Sequence, residues 1–529
     1  MIFPRKFAAF TAALLTCTLL FSSCRLGRVE NDFVFDLDAA PVNLDPQSAG
    51  DTASKQAIAN LFEGLVSVGD DGEPQPAAAE SWTVLADECT YIFSLREDGR
   101  WEDGSPVTAD DFVFGFQRLL DPDTNAPAAE DFYVIQNASA VHSGELEVSA
   151  LGVRALSEYS LEIRLTEPDP YFFEKLDTAA AMPCHEEYFI GTNGRYGLAR
   201  DKIMGNGAFY LAGWAENGNL TFRPNQYYHS ADEVTATSVL YVAPREDRAS
   251  TLSRFLDGTI SAACLTGSEY LAATENGEFE ILENDGAVWG MVFNTSSEPF
   301  SSLAFRQALF QSADFSSMEE ALPQYLTRTQ EILPSGTEID GVPYRSLAPA
   351  VSFPALDPDA AAASLETALA EVDADSLRGA RMIIPAGEEH AEYFAYLSQV
   401  WQRDLGLYLT VETLDTAEYE SRLASGDFEC ALLCLSGNEN RPASMLSALS
   451  GGSYGCTDPT YAGLVDRAVS AERQELAGLC AQAEQMLLDS CTFLPFYLQT
   501  EYFVMNAGVT GVTYHFQTDI PDFRFGEIK

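Results

Sequence analysis

The sequence predicts a mixed α/β fold made of more than one structural unit, and three observations lead there. Short runs rich in β-branched and aromatic residues alternate along the chain with longer stretches of helical periodicity. A leader-like segment at residues 1 to 23, once removed, leaves 506 of 529 residues, well beyond the ~250 to 300 that one hydrophobic core accommodates. Hydrophobic residues make up 46% and aromatics 11% of the chain, a composition that supports packed cores and argues against disorder. No repeat of 20 to 50 residues is visible, which excludes solenoids and propellers.

Taken in order, residues 33 to 37 alternate as a strand, and 52 to 62 space their apolar residues as a helix. Residues 91 to 95 are β-branched and aromatic, and 108 to 119 form a helix opened by Thr108 with Asp110 and Asp111 in its first turn. Strands are expected at 161 to 165, 220 to 222, 239 to 242 and 288 to 293, followed by a helix at 303 to 312. The second half continues with helix 360 to 369, strand 382 to 384, helix 391 to 404, strands 408 to 412 and 429 to 433, and helix 472 to 488. Prolines cluster at 122 to 127 and 334 to 349, which read as surface loops.

Arg5 and Lys6 precede an apolar run from 7 to 21 that breaks at Ser22-Ser23-Cys24. The run is shorter than the ~20 residues of a bilayer-spanning helix, and small residues stand before Cys24, so a cleaved export signal is predicted. Leu20-Phe21-Ser22-Ser23-Cys24 resembles a bacterial lipobox, which implies a lipid-modified Cys24 holding the chain to the outer face of a membrane. Phe21 departs from the small or branched residue more usual there. The formal charge is −50, with 80 acidic and 30 basic residues, so nucleic acid is excluded as a partner. That charge is spread along the chain as a self-repelling surface, with a modest bias toward cationic ligands. Eight cysteines lie beyond Cys24, without a CxxC pair, and read mostly as small buried apolar residues, although Cys430 and Cys434 could be bridged.

The pieces NLDPQ at 43 to 47, LFEGL at 61 to 65 and PQPAAAESW at 74 to 82 come first in a longer pattern. YIFSLREDGRWEDGSPVTADDFVFGFQRLLDP at 91 to 122 is its most specific stretch. LEIRLTEPDPYF at 161 to 172, MGNGAFYLAGW at 204 to 214, FRPNQYY at 222 to 228 and FLDGTISAA at 255 to 263 follow. FNTSSEPFSSLAFRQAL at 293 to 309, WQRDLGLYLTVE at 401 to 412, TYAGLVDRA at 460 to 468 and LPFY at 494 to 497 complete it. In this order the segments resemble the oligopeptide/dipeptide/nickel-binding family (family 5) of extracellular solute-binding proteins that serve ATP-driven importers.

The resemblance implies a two-lobed periplasmic-binding-protein-like fold of the two-crossover type with an extra inserted domain. Mapped here, lobe I collects 25 to 52, 180 to 285 and 498 to 529; the inserted domain spans 53 to 179, and lobe II 286 to 497. It further implies a monomer that captures peptides or peptide-like solutes by lobe closure and hands them to a permease and ATPase. Trp289 and Trp401 align with aromatics near the ligand in relatives, and Tyr454 is a further cleft candidate. Leu435-Ser436-Gly437-Asn438 stand where peptide-binding relatives carry Trp-Cys-Ala-Asp, so Asn438 replaces the Asp that pairs with a peptide's amino group. Leu432 replaces an Arg that meets a ligand carboxylate in some relatives. Both changes weaken recognition of a zwitterionic peptide without removing strand-like docking.

Other chemistries fit the residues less well. Gly451-Gly452-Ser453-Tyr454-Gly455 matches GxSxG, but Ser444 to Leu449 reads as helical where a nucleophile elbow needs a strand. Residues 121 to 125 begin like a calcium loop, yet Ala126 and Phe132 stand where Gly and Glu are required. The five histidines lack HxxxH or HExxH spacing, so no resident metal or cofactor is expected. In Gly205-Asn206-Gly207 the glycines suit either a ligand-facing wall or hinge or an ordinary turn. A sensor or adhesin without transport, or a binder of a metal chelate or sugar, is the alternative function.

Overall fold

Two long strands organise the molecule. The computed structural model describes residues 32–69, 73–245, 249–339, 341–386, 390–436, 442–452, 454–469, 471, 473–516 and 518–529. Strand Phe279–Phe293 runs antiparallel to strand Phe493–Asn506 along nearly the whole length of both, and the pair occupies the middle of an eleven-stranded sheet. Their register shifts between Asn284 and Ala287, dividing each strand into two halves. The half formed by 279 to 284 and 501 to 506 leads through Ala262–Leu265 to Asp32–Asp36, Ser238–Val242, Leu220–Pro224 and Phe209–Trp214. The half formed by 287 to 293 and 493 to 499 leads instead through Cys430–Ser436 to Arg381–Pro385 and Thr410–Leu414, with Leu326–Arg328 on the other edge. Each lobe therefore owns one end of a single sheet.

Residues 79 to 164 build a separate four-stranded antiparallel sheet from Ala79–Val84, Thr90–Leu95, Ser160–Arg164 and Val153–Ser157. Helix Ala109–Leu120 packs on it, started by a capping box in which the Asp111 carboxylate accepts from the Thr108 N–H at 2.8 Å. Trp101, fully buried, meets Phe62 edge-on, with Gly104 at φ +88° turning the hairpin beside it. One continuous core joins this unit to the first lobe, running from Phe93, Phe116 and Ile163 to Phe35, Tyr241 and Phe523. The second lobe buries both faces of its sheet, with Met291, Phe293 and Leu494 on one side and Val292, Ala431 and Phe493 on the other. Tyr171, from the inserted unit, is buried within that second core.

Gly205-Asn206-Gly207 is a packing joint. A Cβ at Gly205 would lie 1.9 Å from the Leu61 carbonyl oxygen, and Gly207 donates its N–H to that oxygen at 2.8 Å. Asn206 brackets Glu63, accepting from its N–H at 3.0 Å and donating to its carbonyl at 2.9 Å. The sequence motif thus locks LFEGL against the first lobe, and its glycines serve backbone approach.

The second long strand is missing from the sequence-based elements, and so is the first half of its partner. Pro495 argues against a central strand, but it stands opposite Gly290 at a second register shift, where the ladder is already broken. Cys430 and Cys434 are not bridged: all eight described cysteines are free. Both lie in strand Cys430–Ser436, so their Cα atoms are ~13 Å apart, beyond the reach of a disulfide.

Candidate functional site

The register shift between Asn284 and Ala287 lies where the two halves of the sheet meet. Ala287, the first residue past it, pairs with Ser436 on one side and Gln499 on the other. Asp285, within it, accepts from the Thr500 hydroxyl at 2.7 Å, and its backbone carbonyl accepts from the Gly336 N–H at 3.1 Å. One side-chain and one backbone hydrogen bond to Asp285 thus stand where the ladder between the two long strands is interrupted.

Immediately above, Trp289 is half-buried and donates its indole N–H to the Gln499 amide oxygen. Its ring lies 4.1 Å, centroid to centroid, from the buried His390, tilted by 39°. His390 in turn shares a hydrogen bond through Nδ1 with the Tyr497 hydroxyl, the two rings nearly parallel. An aromatic surface with a fixed amide beside it suits a ligand that offers flat, polar groups. His390, Tyr497 and Gln499 were not singled out from sequence. His390 is isolated in sequence from its partners and opens an ordinary amphipathic helix, His390–Leu405, so no local pattern marks it.

The sequence-predicted residues separate into distinct groups. Trp289 and Ser436 lie at the hinge level, Ser436 exposed at the end of its strand. Trp401 is a correction: it is fully buried, donates to the Leu309 carbonyl at 3.1 Å and packs edge-on against Phe394, because its helix turns that face into the second-lobe core. Leu432 is likewise in the core at 1% exposure, its side chain apolar and its carbonyl accepting from the Tyr419 hydroxyl. Tyr454 is half-buried against Phe428. Cys24, Gly437 and Asn438 lie outside the described residues, as does Ser453 of the GxSxG match. Helix Pro442–Ser447 precedes that match, so the strand of a nucleophile elbow is lacking among the described residues.

Carboxylates gather on the first-lobe side of the hinge. Burial, reinforced by the neighbouring Asp519, pushes Glu501 up to about 7, against a lowering hydrogen bond from Asn284. Asp519 is itself raised by burial, despite the Tyr514 hydroxyl donating to it at 3.1 Å. Among the described residues no group of His, Cys, Asp and Glu is arranged to hold a metal ion.

Comparison with known proteins agrees with this architecture. A dipeptide-binding protein of Bacillus subtilis is 26% identical over 486 residues, covering 90% of this chain and 88% of its own. A periplasmic protein of Escherichia coli named for binding deoxycholate is 27% identical, covering 91% of each chain. The substrate-binding domain of an oligopeptide ABC transporter from Bacillus anthracis superposes with a TM-score of 0.72 at 25% identity, covering 94% of this chain and 98% of that one. Residues 73–455 match the family model "Bacterial extracellular solute-binding proteins, family 5 Middle". The chain belongs to the family 5 bacterial extracellular solute-binding proteins.

Proposed function

We propose that this protein captures peptides or peptide-like solutes outside the cell and delivers them to the permease of an ATP-driven importer, breaking no bond. The observation that carries the reading is the two-strand junction, 279 to 293 against 493 to 506, with its ladder interrupted between Asn284 and Ala287. Such a junction lets two lobes close on a ligand whose differential affinity for the closed form drives the motion. Trp289 and Gln499 offer stacking and an amide beside it, and Ser436 ends an exposed strand to which an extended ligand can add. Tyr454, Gly437 and Asn438 are the further ligand-binding candidates, and Asn438 supplies a neutral hydrogen bond where an Asp would supply a charged one. Asp285 biases the site toward cationic groups, and Glu501 adds to that bias as pH rises through about 7. Cys24 carries the acyl anchor, and the mature protein works as a monomer at the outer face of the membrane. The lobes divide as 25 to 52, 180 to 285 and 498 to 529 against 286 to 497, with 53 to 179 inserted.

The relative named for binding deoxycholate, as similar as the one named for dipeptides, supports a second reading in which the solute is amphipathic and not a peptide. Native mass spectrometry of protein purified from rich medium, with identification of the mass released on denaturation, separates the two. A ladder of short peptides is expected. A single non-peptide mass, with no shift of melting temperature by peptide pools, would overturn the peptide assignment.

A further inference from the structure

At the far edge of the first lobe, strands Phe209–Trp214 and Leu220–Pro224 form a hairpin with one face in the core and the other open. Phe209, Leu211, Leu220 and Phe222 point inward, while Arg223, exposed, and Tyr210 stand opposite each other on the outer face. Arg200, from the short turn Arg200–Lys202, is fixed there by its Nε–H donating to the Leu211 carbonyl at 3.3 Å. These three residues, with Ala212, Gly213 and Thr221, line an open pocket of about 300 Å³.

The charge of this pocket runs against the rest of the chain. Neither Arg200 nor Arg223 forms an ion pair with a described residue; the half-buried carboxylate of Glu102 is near enough to feel Arg200. In a protein of net charge −50, residues 195 to 223 carry four basic and two acidic side chains. A pocket with two guanidinium groups, neither ion-paired to a described residue, is suited to a phosphate or carboxylate.

Its position says where that anion comes from. Asp32 pairs with Ser238, the following residue Val239 pairs with Phe222, and Arg223 pairs with Tyr210. The start of the first strand and the pocket therefore share one transverse row, three strands or ~15 Å apart. Eight residue steps join Asp32 to Cys24, a reach of at most ~28 Å. Ile190 and Leu198, 63% and 54% exposed, add apolar side chains to the segment that leads into Arg200.

We propose that the Arg200/Arg223 pocket binds the phosphate of an anionic membrane lipid and seats the anchored protein on the bilayer surface. This rests on the Cys24 anchor, which the mass of the N-terminal peptide reads separately. The test is amide hydrogen exchange of the exported full-length protein on phosphatidylcholine vesicles with and without phosphatidylglycerol. Slower exchange in 195 to 224 on the anionic vesicles is expected, reversed by high salt. The Arg200→Glu/Arg223→Glu variant should show about thirtyfold weaker apparent affinity for them, with ligand binding and melting temperature unchanged. Equal exchange on both vesicles, or protection that survives in the folded double variant, overturns the proposal. Protection by dissolved glycerol phosphate but not by vesicles overturns the lipid as its source. Should Cys24 prove unacylated, the same vesicles are added in excess to the free protein and the same outcomes decide.

Discussion

Arg118 grips Asp45 with both arms of its guanidinium, Nη2 to Oδ2 at 2.6 Å and Nη1 to Oδ1 at 3.0 Å, across 73 residues of sequence. The same Nη1 donates to the Gln47 side-chain oxygen at 2.6 Å, and the guanidinium lies 4.0 Å from the centre of the Phe189 ring. Gln47 then donates to the carbonyls of Ala180 and Met182. Two stretches legible in the sequence, NLDPQ and FQRLLDP, are therefore halves of one buried clamp between the segment before helix Thr52–Leu61 and helix Ala109–Leu120.

Breaking that clamp from one side leaves a buried, uncompensated charge. Arg118→Leu should cost about 3 to 5 kcal/mol, read from urea unfolding. The double variant Arg118→Leu/Asp45→Leu should recover much of the loss. Additive losses in the double variant would contradict an ion-pair origin.

Gly205→Ala should destabilise by about 3 kcal/mol, since the added methyl meets the backbone carbonyl of Leu61 with no flexible side chain to yield. Gly191→Ala, where a Cβ meets nothing within 4 Å, is the control and should be near neutral. Thermal melts of the two variants side by side decide this.

The two tryptophans should part company. Trp289→Ala is expected to weaken ligand binding about tenfold, a typical effect of truncating an aromatic anchor, with a small change in melting temperature. Trp401→Phe, which loses the hydrogen bond to Leu309 and core volume, should lower stability by about 1 to 3 kcal/mol and leave affinity alone. Calorimetric titration with the released ligand, paired with melts, measures both.

Glu501 sets a pH dependence of unusual sign for a carboxylate. Its folded-state value, about 7, lies above the ordinary 4.5, so the folded chain binds the extra proton between those values. The associated stability is fully present below about 4.5 and is lost as pH rises through 7. Glu501→Gln should therefore melt above the parent protein at pH 8, with the gap closing toward pH 5. A gap that widens on acidification would contradict this.

Much of the fold was legible locally. Helix 109 to 120 announces itself through Thr108 and two aspartates, and strands such as 160 to 164 through strict alternation. Of the long strand pair only 288 to 293 was, because the rest depends on partners more than 200 residues away and carries Gly286, Gly290 and Pro495 at register shifts that local propensity reads as breaks. The site divides the same way. Trp289 could be found by resemblance, whereas its partners His390, Tyr497 and Gln499 are assembled from two further elements. Trp401 shows the converse error: a large aromatic aligned with cleft residues turns inward because its helix does.

The bulged pair of strands also has a mechanical meaning. A single connecting segment would let the lobes twist as well as bend. Two hydrogen-bonded plies, side by side, resist torsion and shear within their plane yet fold readily across it. In the proposed closure the lobes would then move with something near one degree of freedom. A solute would then be sorted by whether it fits the end of a fixed arc, and one too bulky for that arc would leave the jaws ajar.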